Sequence, residues 1–271
     1  DIPALLGDRI VINSLERENV SITGEAPRRI LGWGKVAGKA EAAVIESVRL
    51  SGVKLDVKPE VKPFEARLGF GRDGAFKSAN LSGEGKWTVA IRPVEAGYDV
   101  TFTARNWEMP LGAPIPIGDV TGKGVLTATS LTFSEFEADV LEGKVNGTLK
   151  VEWGGGVRLA SELSAARLLA QGLVGAFTKD IAATGRVEGN FSVGAEAPTL
   201  AALLDAPRVQ GKFRLTDGSI SNTDLVAAMQ SPDAAGRAGV TKVAELTGEA
   251  GAGGGRISSR NLNLQGRALR G

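Results

Sequence analysis

The chain has 271 residues, of which 42% are hydrophobic and 37 are glycine, and it contains no histidine and no cysteine. These two absences exclude Ser-His-Asp and Cys-His relays, metal sites built on His or Cys, and disulfides. Lys and Arg (32) nearly balance Asp and Glu (31), and with no basic block and few aromatic residues the sequence predicts no nucleic-acid partner.

The apolar residues of the first 160 positions recur with a period of two. In the clearest segment the odd positions are Val145, Gly147, Leu149, Val151 and Trp153, and the even positions are Lys144, Asn146, Thr148, Lys150 and Glu152. The same alternation occurs over residues 53–58, 86–92 and 98–105. A period of two is typical of β-strands that bury one face, so this half of the chain is predicted to be β.

Glycine-containing turns separate these runs. They are Asp73-Gly74, Gly83-Glu84-Gly85, Ala96-Gly97, Gly122-Lys123-Gly124 and Glu142-Gly143. Short turns of this kind connect consecutive hairpins, and no crossover helix can be read before residue 160, so the strands are expected to pair antiparallel. No stretch approaches 18 consecutive apolar residues, so neither a membrane span nor a signal peptide is expected within the chain.

The apolar spacing changes in the second half. Leu169, Leu173 and Phe177 recur every four residues behind a candidate cap at Ser164, which predicts a helix over residues 164–177. Two shorter helices are predicted at residues 198–206 and 224–229, and strand alternation returns over residues 187–193 and 213–220. The hairpins and the helices together predict a mostly β protein with one long antiparallel sheet and two or three short helices in its C-terminal half.

The sheet is predicted to have two regions. Residues 1–163 form an antiparallel region, and residues 164–271 add the short helices while continuing the same sheet. On alternation alone, the apolar strand face is most simply the core of a β-sandwich, in which a second sheet covers it.

Three segments in the second half have the order and spacing of a known family. They are Glu142–Trp153, Gly211–Leu225, and Thr241–Gly248 followed by Arg260–Leu264. With their glycine and apolar positions, these segments resemble the C-terminal region of the AsmA family, bacterial envelope proteins related to TamB and to the bridge-like lipid transfer proteins. The resemblance covers roughly residues 107–271. The family's N-terminal membrane helix is missing from this chain, and its final strands are not reached.

The resemblance implies a periplasmic protein anchored to the inner membrane through a segment absent from this chain. It implies a long curved sheet whose open apolar groove holds phospholipid acyl chains, and a role in lipid transport between the membranes and in outer-membrane biogenesis. Neither catalysis nor a cofactor is expected, because the sequence shows no catalytic constellation. The predicted lining is Trp87, Val89, Ile91, Val100, Phe102, Val145, Leu149, Val151, Phe191, Val193, Phe213 and Leu215.

Two other functions stay open at this point. The chain could be a structural or assembly module of the envelope that docks a protein partner, or a glycan hydrolase working through Glu135, Glu137 and Glu142. A separate expectation concerns assembly, because an unpaired edge strand near residues 261–264 could pair with a second copy as an edge-to-edge homodimer.

Overall fold

The computed structural model of the chain describes residues 10–22, 43–56, 60–106, 116–175, 182–203, 205–222, 239–253 and 256–265. Within these ranges the protein is built almost entirely of β-strands. The strands of the N-terminal half are β1 Ile10–Ile12, β2 Leu15–Glu18, β3 Ser21–Ile22, β4 Ala43–Ile45, β5 Ser47–Leu55, β6 Phe64–Phe70, β7 Phe76–Gly83, β8 Trp87–Val94, β9 Gly97–Ala104 and β10 Ile117–Leu126. The rest are β11 Ser130–Val140, β12 Gly143–Trp153, β13 Val157–Leu169, helix α1 Ala170–Gly175, β14 Ala182–Ala197, β15 Arg208–Ser221, β16 Val240–Gly253 and β17 Arg256–Gln265.

One sheet of 15 strands contains most of these elements. From β5 to β17 each strand lies beside its neighbour in sequence, β2 extends the sheet beyond β5, and β3 also pairs with β5. Strands β5 to β9 and β11 to β17 pair antiparallel with their sequence neighbours. The predicted mostly β fold with one long sheet is therefore confirmed.

The first strands depart from the antiparallel prediction. Strands β2 and β3 pair parallel with β5, and β1 pairs parallel with β4 in a small separate sheet. Parallel strands need a long connection that returns the chain to the same end of the sheet. The connection here is residues 23–42, which lie outside the described residues and whose sequence gave no crossover signal.

The chain forms two compact units, one of residues 1–105 with 122–128 and one of residues 106–121 with 129–271. The predicted division after residue 163 stays a prediction. In the first unit Val48, Leu50 and Val53 of β5 are almost completely buried and pack with Phe64 of β6. The Phe64 ring centroid lies 5.6 Å from that of Trp87 on β8, so the core of this unit extends across the hairpins.

The predicted helix over residues 164–177 is wrong in its first half. Strand β13 continues to Leu169, Ser164 lies in that strand opposite Asn190, and the helix begins only at Ala170. The reason is a β-bulge after Ala165, where Arg167 has a φ of 60°. A bulge adds one residue to a strand and breaks its alternation, so the sequence beyond it resembled a helix.

The second predicted helix is also wrong. Residues 198–203 form bends and turns, in which the Leu203 N–H donates to the Leu200 carbonyl and the Asp205 N–H donates to the Ala202 carbonyl. Bonds that span only three residues close turns and do not propagate an α-helix. The third predicted helix, residues 224–229, lies outside the described residues.

Three bulges of the second unit keep the apolar residues of successive strands in register. They lie at Arg167 on β13, Asp217 on β15 and Asn261 on β17, each with a positive φ of 48–60°. After the bulge at Arg167, Leu168 pairs with Val187, so both side chains lie on the face that carried the apolar residues before it. The bulges therefore explain how strands of 10–16 residues keep one apolar face.

Candidate functional site

The strand register places the apolar residues of β11 to β13 on one face of the sheet. Leu149 pairs with Phe133 of β11 and with Ser161 of β13, and directly paired residues of adjacent strands share a face. The buried Ser161 is a polar exception, but its hydroxyl donates to the Thr148 carbonyl at 2.6 Å. The face is therefore apolar without leaving that hydroxyl unsatisfied.

Phenylalanines and glycines pair directly on the same face of β14 and β15. Phe191 pairs with Gly211, and Phe213 pairs with Gly189. A Cβ atom at Gly211 would lie 2.5 Å from Cδ1 of Phe191, so the ring occupies the space that a side chain at Gly211 would need. Gly211 thus leaves space for the Phe191 ring, whereas a Cβ atom at Gly189 would meet the backbone carbonyl oxygen of Lys212.

The first unit contains the other predicted lining residues on β8 and β9. Val89 pairs with Phe102 and Ile91 pairs with Val100, so these four share one face. Trp87 lies on the same side of β8, two residues before Val89. The register thus brings these five predicted residues together within the first unit.

Ten of the twelve predicted lining residues keep part of their surface accessible. Val100 is 6% exposed and Leu215 is 3% exposed, so these two belong to the buried core. The half-buried ones are Trp87, Val89, Ile91, Phe102, Val145, Leu149, Val151, Phe191, Val193 and Phe213. A sandwich core would bury such side chains almost completely, whereas these leave apolar surface open to contact.

Helix α1 closes one end of the apolar face in the second unit. Ala170 of the helix is 1% exposed and belongs to a buried cluster with Val187, Leu215 and Leu246. Leu173 packs against this cluster from the same helix. At the opposite ends of the strands Val193 and Val209 are half-buried while Ala195 is buried, so the face away from the helix is accessible in part.

The other face of the sheet is charged and rich in ion pairs. Lys144 donates to Asp139 at 2.8 Å and to Glu137 at 2.9 Å, and the two carboxylates raise its pKa above the ordinary value for lysine. Lys150 lies 2.7 Å from Glu152, and the hydrogen bond from this lysine lowers the pKa of the Glu152 carboxyl. These groups are exposed, so the pairs add little stability, but they give the sheet one polar and one apolar side.

An open depression of about 670 Å³ lies on this charged face in the second unit. Its lining includes Ser164, Asn190, Lys212, Arg214, Glu249 and Asn261, and Phe213 is the only predicted lining residue among those that border it. Lys212 and Glu249 are directly paired across β15 and β16 without forming an ion pair within 4 Å. Sequence reasoning missed this surface because alternating polar residues were interpreted as a solvated strand face.

Two of the three carboxylates considered for glycan hydrolysis take part in separate ion pairs. Glu137 accepts from Lys144, and Glu142, in the turn before β12, accepts from Nη2 of Arg186 at 3.1 Å. Glu135 lies in a bulge of β11. Within the described ranges no three acidic side chains cluster as metal ligands would, and no helix there is long and apolar enough to cross a membrane.

Comparison with known proteins identified no similar protein. No protein-family model, no curated protein and no solved structure matches the chain. The resemblance to the AsmA family therefore rests on the three sequence segments. In the structure these segments form the turn before β12 with β12 itself, part of β15, and parts of β16 and β17, and residues 223–225 lie outside the described residues.

Proposed function

We propose that the chain is part of an AsmA-like periplasmic protein whose apolar sheet face holds the acyl chains of phospholipids. In this proposal the protein contributes to lipid transport between the inner and outer membranes and to outer-membrane biogenesis. A segment outside this chain anchors it to the inner membrane. One observation carries the proposal. The apolar face of β11 to β15 is only half-buried, and the opposite face of the same strands is charged and ion-paired.

Acyl chains can bind such a face through burial alone. Each CH₂ group removed from water contributes about 0.8 kcal/mol, so a chain of ordinary length gains several kcal/mol without any polar contact. The accessible surfaces of Leu149, Phe191 and Phe213 provide this contact in the second unit. The lipid takes the place that a second sheet occupies in a sandwich, and no catalytic group or cofactor is required.

A second candidate function is supported by the depression on the charged face. Among the residues that the structure describes, Lys212 and Glu249 have no ion-pair partner, and Asn190 and Asn261 add amide groups at the same surface. Polar groups that are not paired within the protein can pair with groups of a partner. A module that docks another envelope protein through this surface is therefore the alternative to a lipid carrier.

Native mass spectrometry of the purified chain tests the lipid proposal. We expect co-purified phospholipid on the wild-type chain and a more than tenfold loss with Leu149→Asp, because a charge on the apolar face must be desolvated by the acyl chain. Lys150→Asp changes the adjacent residue on the opposite face and should keep the lipid, since its ion pair is exposed.

Thermal unfolding of both variants separates lipid contact from folding. Loss of lipid in a Leu149→Asp chain that still unfolds cooperatively supports the proposal. A wild-type chain that never carries lipid, together with an unfolded Leu149→Asp variant, would show that the apolar face is a sandwich core.

A further inference from the structure

The charged face carries two rows of cations near the end of the sheet. Arg208 and Lys212 lie on β15, and Arg256 and Arg260 lie on β17, with β16 between the two strands. Within each row the two cations are four residues apart. Because neighbouring strands lie about 4.8 Å apart and each residue spans about 3.4 Å, the four cations mark a rectangle of about 10 by 14 Å.

The strand register places all four cations on the same face. Lys212 pairs with Glu249, Glu249 pairs with Arg260, and directly paired residues share a face. No bulge interrupts the strands between Arg208 and Lys212 or between Arg256 and Arg260. A separation of four residues in a regular strand keeps a side chain on its face, so the rectangle lies on the charged side of the sheet.

Strand β16 carries few side chains inside this rectangle. Its residues on the charged face are Glu249, Gly251 and Gly253. A Cβ atom at Gly253 would lie 3.6 Å from Cγ of Arg208, so the stem of this arginine lies beside the space over Gly253. Two rows of long cationic side chains thus border a strip that is mostly backbone. This surface, the basic trough, consists of Arg208, Lys212, Glu249, Gly251, Gly253, Arg256 and Arg260.

Positive charge predominates in the basic trough. Its four cations are exposed, and among the residues that the structure describes none of them forms an ion pair. By contrast, Arg158 and Arg186 of the neighbouring strands each contact a carboxylate, at 3.3 and 3.1 Å. Glu249 is the only acidic residue of the trough, and no Asp or Glu follows it in the sequence. Four positive charges therefore accompany one negative charge.

The trough continues into the open depression on the charged face. Lys212 and Glu249 belong to both surfaces. Gln210 and Ser258 pair with Gly251 from the two sides, so an amide and a hydroxyl group also lie between the cations. The trough thus combines charged groups along its borders with polar groups near its middle.

We propose that the basic trough binds an extended acidic segment of a partner protein. This inference goes beyond lipid binding, because it concerns the opposite face of the sheet, and it names the partner chemistry for the second candidate function. Arginine and lysine form charge-assisted hydrogen bonds with carboxylates. The rows are about 10 Å apart, twice the spacing of paired strands, so one extended chain fits between them.

The position of Glu249 favours a peptide segment over a membrane surface. This carboxylate is half-buried and lies between Lys212 and Arg260. An anionic membrane presents negative charge everywhere and would meet this carboxylate with repulsion, whereas a peptide can place an uncharged residue beside it.

Fluorescence polarisation tests the inference with a labelled peptide of alternating Glu and Ser, and with a second peptide in which Gln replaces each Glu. We expect the wild-type chain to bind only the Glu peptide, and more weakly as salt screens the exposed charges. Arg208→Gln with Arg256→Gln should weaken binding about fivefold, because two exposed ion pairs are lost. Glu249→Gln should strengthen it about twofold, because a repulsive charge is removed.

The matched control is Arg67→Gln with Arg92→Gln, which removes the same charge from exposed arginines of the first unit and should leave binding unchanged. The inference is overturned when the chain binds neither peptide, when it binds both equally, or when the control weakens binding as much as the trough variant. Binding of phosphatidylglycerol vesicles through the same arginines without peptide binding would also overturn it. Peptide binding by a chain that carries no lipid supports the inference, and only the lipid proposal then fails.

Discussion

Several glycines of the second unit lie where a side chain would clash with a neighbouring strand. Gly147 of β12 has a φ of 154°, and a Cβ atom placed there would clash with the backbone carbonyl oxygen of Glu162. Backbone atoms of a paired strand cannot move aside as the end of a flexible side chain can. The high glycine content of the chain thus reflects, at this site, a close approach between β12 and β13.

We predict that Gly147→Ala lowers the free energy of unfolding by about 1–3 kcal/mol, because both the φ angle and the carbonyl contact oppose a side chain. Urea unfolding of the purified variant measures the change. The control is Gly155→Ala in the turn after β12, where a Cβ atom would meet nothing within 4 Å. Equal stability of the two variants would contradict the assigned role of Gly147.

For individual residues of the candidate site, the sequence predicts the face of the strand but not the accessibility of the side chain. The alternation in β12 assigned Val145, Leu149 and Val151 to one face, and the register confirms that these three share it. The accessibility of that face could not be predicted, because a period of two specifies which side chains share a face and not what covers them. Val100 and Leu215 have the same pattern as their neighbours and are nevertheless core residues.

At the scale of elements, uninterrupted strands were predicted correctly and bulged ones were not. Strand β12 alternates from end to end, so its limits and faces followed from the sequence. Strand β13 contains a bulge at Arg167, and the added residue converts the spacing beyond it into one that resembles a helix. A bulge depends on a backbone angle that Arg adopts rarely, and single-sequence patterns carry no signal for it.

Helix α1 is short and depends on its packing. A helix of six residues is not stable by itself, so the contact of Ala170 with Val187 and Leu246 must hold it on the sheet. We predict that Ala170→Asp lowers the free energy of unfolding by about 2–4 kcal/mol, because it buries an unpaired charge. Chemical denaturation measures this change.

The neighbouring residue provides the control for the helix. Gln171 is exposed, so Gln171→Asp should change the free energy of unfolding by less than about 0.5 kcal/mol. Similar losses in both variants would mean that the charge acts on the helix itself and not on the buried cluster.

At the scale of the whole molecule, the sheet ends in an edge strand. In the part of the chain that the structure describes, β17 pairs with β16 on one side and no strand lies on its other side. An open edge presents unpaired N–H and C=O groups to which another strand can bind. Leu262 and Leu264 keep an apolar side on this strand, so a second copy that pairs there can extend the apolar face.

We predict that two copies of the chain associate through β17 at high concentration. Light scattering should then show a mass that rises from 28.1 kDa towards twice that value as the concentration increases. Ser258→Pro with Asn263→Pro should keep the chain monomeric, because proline removes N–H donors and is tolerated mainly at edges. The control variant is Lys62→Pro with Glu95→Pro, which places the same two prolines in the connections before β6 and β9. This variant should still dimerise. A wild-type mass that stays at 28.1 kDa over the full range would show that β17 does not pair with itself.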